Sequence, residues 1–272
     1  NIGNITGTLT SGNTTDDTAL VLSGTNESGS SVKVYDSTTE IGSATVSGTS
    51  WSYTATLVDG TTYQFNVKET DLAGNTSTAT SRFAVTGDTT PPTISSIAIS
   101  GATGILNNFL NAGDNVSLTA TFDENVPVSG TPQLTLVVGS TDQTATYTSG
   151  NSSTQLVFQY TIQAGDTDSN GISIGANVLA LNSGTIWDAA GNNATLTHSA
   201  LSDNSSYMVD TTAPTASWSA ATDNVGTVTG ALTSGDTTDD TAFVLSGTNE
   251  SGSSVKVYNS TTELANATVS GT

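Results

Sequence analysis

The sequence predicts an all-β chain of sandwich domains in tandem, and three observations carry the prediction. The first is an internal repeat. Residues 1–49 and 224–272 align without a gap and agree at 39 of 49 positions, at an offset of 223 residues. Self-similarity at long range marks a repeat array. The second is hydrophobic alternation with period two, against weak helical periodicity. The third is punctuation: short apolar runs are bounded by Gly, Asp, Asn, Ser or Pro every ~8–12 residues, as in a β-sandwich.

The runs can be taken in order. ALVLSGT follows the Asp16-Asp17 pair, and SVKVYDS sets Val32 and Val34 inward. In WSYTATL, Trp51, Tyr53, Ala55 and Leu57 share a face. In TYQFNVKE, Tyr63, Phe65 and Val67 share one face and Gln64, Asn66 and Lys68 the other, because side chains alternate along a strand. The aromatic residues therefore read as core and rim packing. VSLTATF, PQLTLVV and QLVFQYTIQ continue the pattern. Two proline segments, GDTTPPT (87–93) and VDTTAPT (209–215), interrupt it; proline cannot join a sheet interior and restricts the residue before it. They set the expected domains: 1–88, then 89–212 with longer loops, then 213–272 as a partial second copy of the first type. Thr49 runs on into SWSYTATL while its counterpart Thr272 ends the sequence, so the chain is expected to be a window on a longer tandem protein.

Composition narrows the function. There is no cysteine, which excludes a disulfide framework and thiolate chemistry. Four Lys and Arg face 24 Asp and Glu, for a net charge of −20. Nothing here neutralises phosphates, so no nucleic-acid partner is expected, nor docking on an anionic membrane. No run approaches the ~18 apolar residues of a membrane helix, so no direct membrane insertion is expected in this segment. Eighteen of the acids are Asp and six are Glu; Asp is both a turn former and a ligand for hard cations. The charge reads either as solubility or as a site for bound cations. The chain is not expected to be an enzyme: His198 is the sole histidine and reads as a loop residue, and GxSxG and HExxH are absent.

The pattern DDTxxxLSGT…WSYTATLVDGTTYxFxVxxTDLAGNTS, joined by DTTAPT-type linkers, resembles the bacterial Ig-like repeats of giant secreted adhesins of the RTX and biofilm-associated kind. NVPVSGTPQLTL, QYTIQAGDTDSNGI, LNSGTIWDAAGN and YMVDTTAP resemble a second repeat type of the same adhesins. The resemblance implies tandem Ig-like β-sandwich domains in an elongated array. It also implies an extracellular place at the bacterial surface and a role as calcium-stiffened extenders that support adhesion or biofilm formation. Adjacent repeats of the same chain, or identical chains in a fibre, would be the partners.

Candidate cation ligands follow from motif and topology. Asp166, Asp168 and Asn170 place oxygen at every second position before Gly171, the loop chemistry of a calcium site. The twelfth position is Asn177 rather than Glu, and a plain Asp/Asn/Gly turn explains the same residues. If the first domain runs in Ig strand order, Asp16, Asp17, Asp59 and the exit residue Asp88 converge at one pole, and Asp123 and Glu124 of the FDENV turn face that junction. Like charges a few Å apart repel by about 1 kcal/mol per pair in water, more when buried; a divalent ion such as calcium (Ca2+) turns repulsion into a clamp. The opposite pole carries Asp71 to Asn75 (DLAGN), paralleled by Asp188 to Asn192 (DAAGN) in the second domain. Asp210 is expected to bridge the second and third domains, and Asp223 to open the strand that in the first copy begins at Asn1. Asp239 and Asp240 repeat Asp16 and Asp17, without a counterpart of Asp59. Against all of these stands the reading that DD and DxAGN are Asx-turns.

Two other functions stay open. A glycan- or protein-binding module would use an exposed aromatic platform, with Trp187 and Trp218 as candidates, although both read better as junction packing. A self-assembling filament subunit would complete residues 213–272 by strand addition.

Overall fold

The computed structural model describes residues 4–227, 229–242 and 244–270. Asn1, where the first copy's opening strand was placed, lies outside them. The architecture is all-β, with no helix among the described residues. Contacts divide the chain between Thr211 and Thr212 into two compact units.

The first unit holds two sandwiches, each with its own core. The first is built from β1 (Asn13–Thr15), β2 (Ala19–Thr25), β3 (Ser31–Asp36), β4 (Thr39–Ser43), β5 (Thr45–Ser47), β6 (Ser50–Thr56), β7 (Thr62–Thr70) and β8 (Phe83–Gly87). These form a five-stranded sheet, β1-β8-β7-β3-β4, facing a three-stranded sheet, β2-β6-β5. All neighbours are antiparallel except β1 and β8, which pair in parallel with Asn13 opposite Val85. The expected alternation is present: Val32 and Val34 are buried, and Ala55 and Leu57 continue the half-buried Trp51 and Tyr53. One residue departs from it. Asn66 is buried although it faces away from Phe65, because its amide donates to Ser37 O at 2.8 Å and closes the β3–β4 turn.

The second sandwich contains β9 (Ile94–Thr103), β10 (Phe109–Leu110), β11 (Asn115–Val126), β12 (Val128–Ser129), β13 (Gln133–Val138), β14 (Thr141–Ser149), β15 (Ser153–Thr161), β16 (Thr167–Asp168), β17 (Leu179–Ala180), β18 (Thr185–Ile186) and β19 (Met208–Asp210). A six-stranded sheet, β17-β13-β14-β15-β11-β9, is accompanied by β10-β19-β16 and β12-β18. The parallel pair recurs: Phe109 of β10 lies opposite Met208 of β19. Strand β11 shows why the chain folds this way, since Val116, Leu118, Ala120 and Phe122 are all buried and the residues between them face outward. Leu134, Leu136, Leu156 and Phe158 meet them in one core.

The second unit contains β20 (Ser217–Asp223), β21 (Gly230–Ala231), β22 (Val244–Thr248), β23 (Lys256–Asn259) and β24 (Thr262–Asn266), in sheets β21-β20-β22 and β23-β24. The repeated sequence folds alike locally. Lys33 pairs with Glu40 at 2.7 Å and Lys256 with Glu263 at 2.9 Å. Asn26 and Asn249 each donate to the next residue's carbonyl at 2.7 Å. Asp223 ends β20 instead of opening a strand, because the chain turns there and Asn224 N donates to Asp240 Oδ2 at 2.9 Å. Trp218 is 65% exposed within this unit.

Truncating the core aromatic by Phe158→Ala is expected to cost about 3–5 kcal/mol, while Val21→Ala, at a strand position 62% exposed, should stay within about 0.5 kcal/mol. Denaturant unfolding of the two variants checks the contrast.

Candidate metal centre between the two sandwiches

Two loops of the same design bracket the first sandwich. In DLAGN, Asp71 Oδ1 accepts the N–H groups of Ala73 and Asn75 at 2.8 Å each, and Asn75 Nδ2 donates to Asp71 Oδ2 at 2.8 Å. In DAAGN, Asp188 Oδ1 accepts from the N–H groups of Ala190, Gly191 and Asn192 at 2.7–2.9 Å, and Asn192 Nδ2 donates to Asp188 Oδ2 at 2.7 Å. Both are Asx-turns. Each needs glycine at its fourth position, where φ is +90° at Gly74 and +112° at Gly191.

Their settings differ. Beside Asp71, Leu72 is 85% exposed, whereas Asp188 is fully buried. The exit of the first sandwich accounts for this. Asn192 Nδ2 also donates to Asp88 O at 2.9 Å. Asn4 N and Nδ2 donate to Gly191 O at 3.3 and 3.1 Å, and Asn4 Nδ2 reaches Asn193 Oδ1 at 2.7 Å. The loop of the second sandwich is thus held by backbone and amide groups of the first.

This docking brings three carboxylates together. Asp88, Glu124 and Asp188 each place an oxygen within 4.8 Å of the others, the one such group of three acidic, histidine or cysteine side chains among the described residues. Asp16 adjoins them: a Cβ on Gly191 would lie 3.4 Å from Asp16 Oδ2. Asp16 Oδ1 is buried with no hydrogen-bond partner. Burial pushes the Asp16, Asp88 and Glu124 carboxyls up, and neighbouring acids add to it: Asp17 and Asp188 on Asp16, Asp188 and Asp59 on Asp88, Asp188, Asp88 and Asp123 on Glu124.

Asp59 and Asp123 serve another purpose. Asp59 accepts from Thr89 N at 2.6 Å and Thr90 Oγ1 at 2.8 Å, and Asp123 accepts from Thr93 N at 2.8 Å and from Thr93 Oγ1. They fasten the two ends of the proline linker. Thr89 N–H holds the Asp59 carboxyl low, the Thr93 hydroxyl holds that of Asp123 low, and the Asn75 amide does the same for Asp71. Opposite shifts sort the acids into those satisfied by donors and those short of them. Asp16 keeps a buried orphan oxygen, Asp88 accepts from Thr90 N at 3.2 Å, and Asp188 stays bonded within its own turn; together with Glu124 they gather several carboxylate oxygens of the kind a hard divalent cation takes as ligands.

The remaining candidates lie elsewhere. Asp17 is buried and lines a cleft beside β2. In the Asp166–Asn170 loop the oxygens already face donors. Asp166 accepts from Tyr160 OH at 2.7 Å, Gln163 N at 2.8 Å and Gln143 Nε2 at 3.1 Å, while Asp168 accepts from Gly139 N and Gly171 N at 2.8 Å. Asn170 Nδ2 donates to Asp203, and Asn177 Oδ1 accepts from His198 N. Asp210 ends β19 opposite Thr167. Asp223 and Asp240 are buried near one another, and Asp239 lies against Gly226. His198 is a packing residue with both ring nitrogens engaged: Nε2 accepts from Val178 N and Nδ1 faces Ser199 O, each at 2.9 Å.

Residues 1–89 match the family model of the bacterial Ig-like domain. The matched stretch coincides with the first sandwich, and its first 49 residues recur, with ten differences, from residue 224. Among solved structures, the chain is similar to the fibronectin(III)-like modules of Clostridium thermocellum CbhA, at 13% identity over 68% of this chain and 86% of that one, with a TM-score of 0.32. It is also similar to SGBP-B of the Bacteroides ovatus mixed-linkage glucan utilization locus, solved with a mixed-linkage heptasaccharide, at 14% identity and a TM-score of 0.22. That match covers 94% of this chain and 64% of that one. No curated protein matches the chain.

Asn192→Ala removes the amide that joins Asp188 to Asp88 O, and is expected to cost about 1–3 kcal/mol and to speed amide exchange at residues 88–93. Asn75→Ala, in the exposed loop, should leave exchange there unchanged.

Proposed function

We propose that the chain is a structural extender segment of a bacterial surface protein, in which calcium bound between consecutive Ig-like sandwiches stiffens their connection in support of adhesion. The observation that carries this reading is the meeting of Asp88, Glu124 and Asp188 within 4.8 Å. Asp16, Asp88, Glu124 and Asp188 would hold the ion. Calcium would supply the positive charge that offsets their repulsion, on the order of 1–3 kcal/mol per pair between water and a protein-like dielectric. No basic side chain takes that role. Lys33 and Lys256 pair with Glu40 and Glu263, and Lys68 sits over the Tyr35 ring. Arg82 precedes β8, roughly 16 Å along an extended strand from its junction end.

An extender works at the outer face of the cell, and an acidic, cysteine-free sandwich suits that place. No helix among the described residues is long and apolar enough to cross a membrane. A ligand-binding role has one observation in its favour: the exposed Trp218 borders a cleft with Val257 and Tyr258. Loss of glycan or protein binding in Trp218→Ala, with an unchanged calcium response, would favour that role.

Glu124→Gln separates charge from shape. In chelator its unfolding midpoint should equal or exceed that of the parent, because repulsion is relieved. In calcium it should lose the parent's stabilisation, about 2.7 kcal/mol at a hundredfold excess over Kd. Calcium that stabilises both proteins equally would sink the proposal.

Protons compete for the same site. The folded-state carboxyls of Asp16, Asp88 and Glu124 lie above their ordinary values. Their contribution to stability without metal is therefore fullest below the ordinary carboxyl range and is lost as pH rises through the raised values. Calcium needs the ionised forms, so its affinity should climb over that interval. Calorimetric titration between about pH 5 and 7.5 should show tighter binding at the upper end.

A further inference from the structure

After β18 the chain alternates: Ala194 and Leu196 pack against the core of the second sandwich, while Thr195, Thr197 and Ser199 are exposed. The next inward place is taken by the chain's sole histidine, His198, which is buried. Residues 195–201 form a strap tied at both ends. Thr195 N donates to Pro92 O at 2.8 Å, and Leu201 exchanges backbone hydrogen bonds with Ile174 at 2.8 and 2.9 Å. Between these ends, the strap's hydrogen bonds among the described residues are those of His198. Its N–H donates to Asn177 Oδ1 at 2.8 Å, and its ring bonds Val178 N and Ser199 O at 2.9 Å each.

The partners fix the state of the ring. Ser199 O can only accept, so Nδ1 carries the hydrogen. Val178 N–H can only donate, so Nε2 must keep its lone pair. The ring is therefore the neutral Nδ1–H tautomer. An imidazolium donates from both nitrogens, and its Nε2–H would point at the Val178 N–H. No counter-charge stands by. The cleft of about 490 Å³ beside the ring is lined by residues 94–97, Asn177 and residues 197–200, none charged or titratable except His198 itself. The acids nearest these segments in sequence are held elsewhere: Asp123 accepts from Thr93, Asp203 from Asn170, and Asp188 from its own turn. A proton on Nε2 thus costs a hydrogen bond and buries an uncompensated charge.

We infer that His198 is an acid-release latch. Protonation at Nε2 breaks the bond to Val178 N and frees the strap 195–201, and through Thr195 it loosens the linker end at Pro92. The fold requires the neutral ring, so the latch's contribution is present at neutral pH and is lost as pH falls through the imidazole range, about pH 5 to 8. The sign is opposite to that of the raised carboxyls of Asp16, Asp88 and Glu124 without metal. The inference is independent of calcium.

The test uses the full chain in chelator with 15N-labelled histidine, whose one imidazole gives one pair of ring resonances. At pH 7.5 the spectrum should show the neutral Nδ1–H tautomer. Between pH 7.5 and 5, protection of the Val178 and His198 amides, corrected for intrinsic exchange, should fall about tenfold or more, while that of Leu118 in β11 holds. His198→Gln cannot titrate, so its protection at Val178 should be the same at both pH values, whatever its level. An Nε2–H tautomer, unchanged protection in the parent, or an equal fall in His198→Gln would each overturn the inference.

Discussion

Three carboxylates within 4.8 Å of one another, in a chain of net charge −20, set the constraint on which the first unit's organisation depends. Each is brought by a different segment: Asp88 from the end of the first sandwich, Glu124 from β11, and Asp188 from the loop after β18. Acids free to separate would do so. Here Asn192 ties Asp188 to Asp88 O, Asn4 holds Gly191 O, and Asp59 and Asp123 fix the linker between them. Hydrogen bonds thus hold the sandwiches together while the like charges of the three acids oppose the arrangement. That opposition is what a divalent cation would remove.

The fold supplies the geometry through a device used twice. In each sandwich of the first unit a strand from near its beginning runs parallel to its final strand, β1 with β8 and β10 with β19. In the first sandwich this places Asp88 N on Thr15 O at 2.9 Å, so the exit and the Asp16 turn lie side by side. The rigid Asx-turn at Asp188 then meets that pole. Its twin at Asp71 has the same internal hydrogen bonds at an exposed position, so the turn by itself is neutral with respect to metal. Context, not motif, separates the two.

Much of this was legible in the sequence because alternation is local. Val116, Leu118, Ala120 and Phe122 announce their own face. Asn66 escaped because its burial depends on a carbonyl at Ser37, across the β3–β4 turn. Asp16, Asp88 and Glu124 were expected at one junction from the assumed strand order, whereas Asp188 was read only as the parallel of the Asp71 loop; it meets Asp88 and Glu124 through the tertiary fold. Asp59 and Asp123 read as ligands, yet the threonines of DTTPPT supply the donors they accept, a signal present in the linker itself. Asn4 carried a fainter mark: it is one of the ten differences between the copies, with Thr227 in its place. In the Asp166–Asn170 loop, oxygens at every second position suit a cation and an Asx network equally, and the donors that engage them here, Tyr160 and Gly139, lie outside the motif.

The most direct measurement is a crystal structure of the chain grown in calcium, with data collected at a wavelength where calcium scatters anomalously. The account predicts an anomalous peak enclosed by Asp16, Asp88, Glu124 and Asp188. Calcium-saturated crystals without a peak there, or with one only in the Asp166–Asn170 loop, would contradict it.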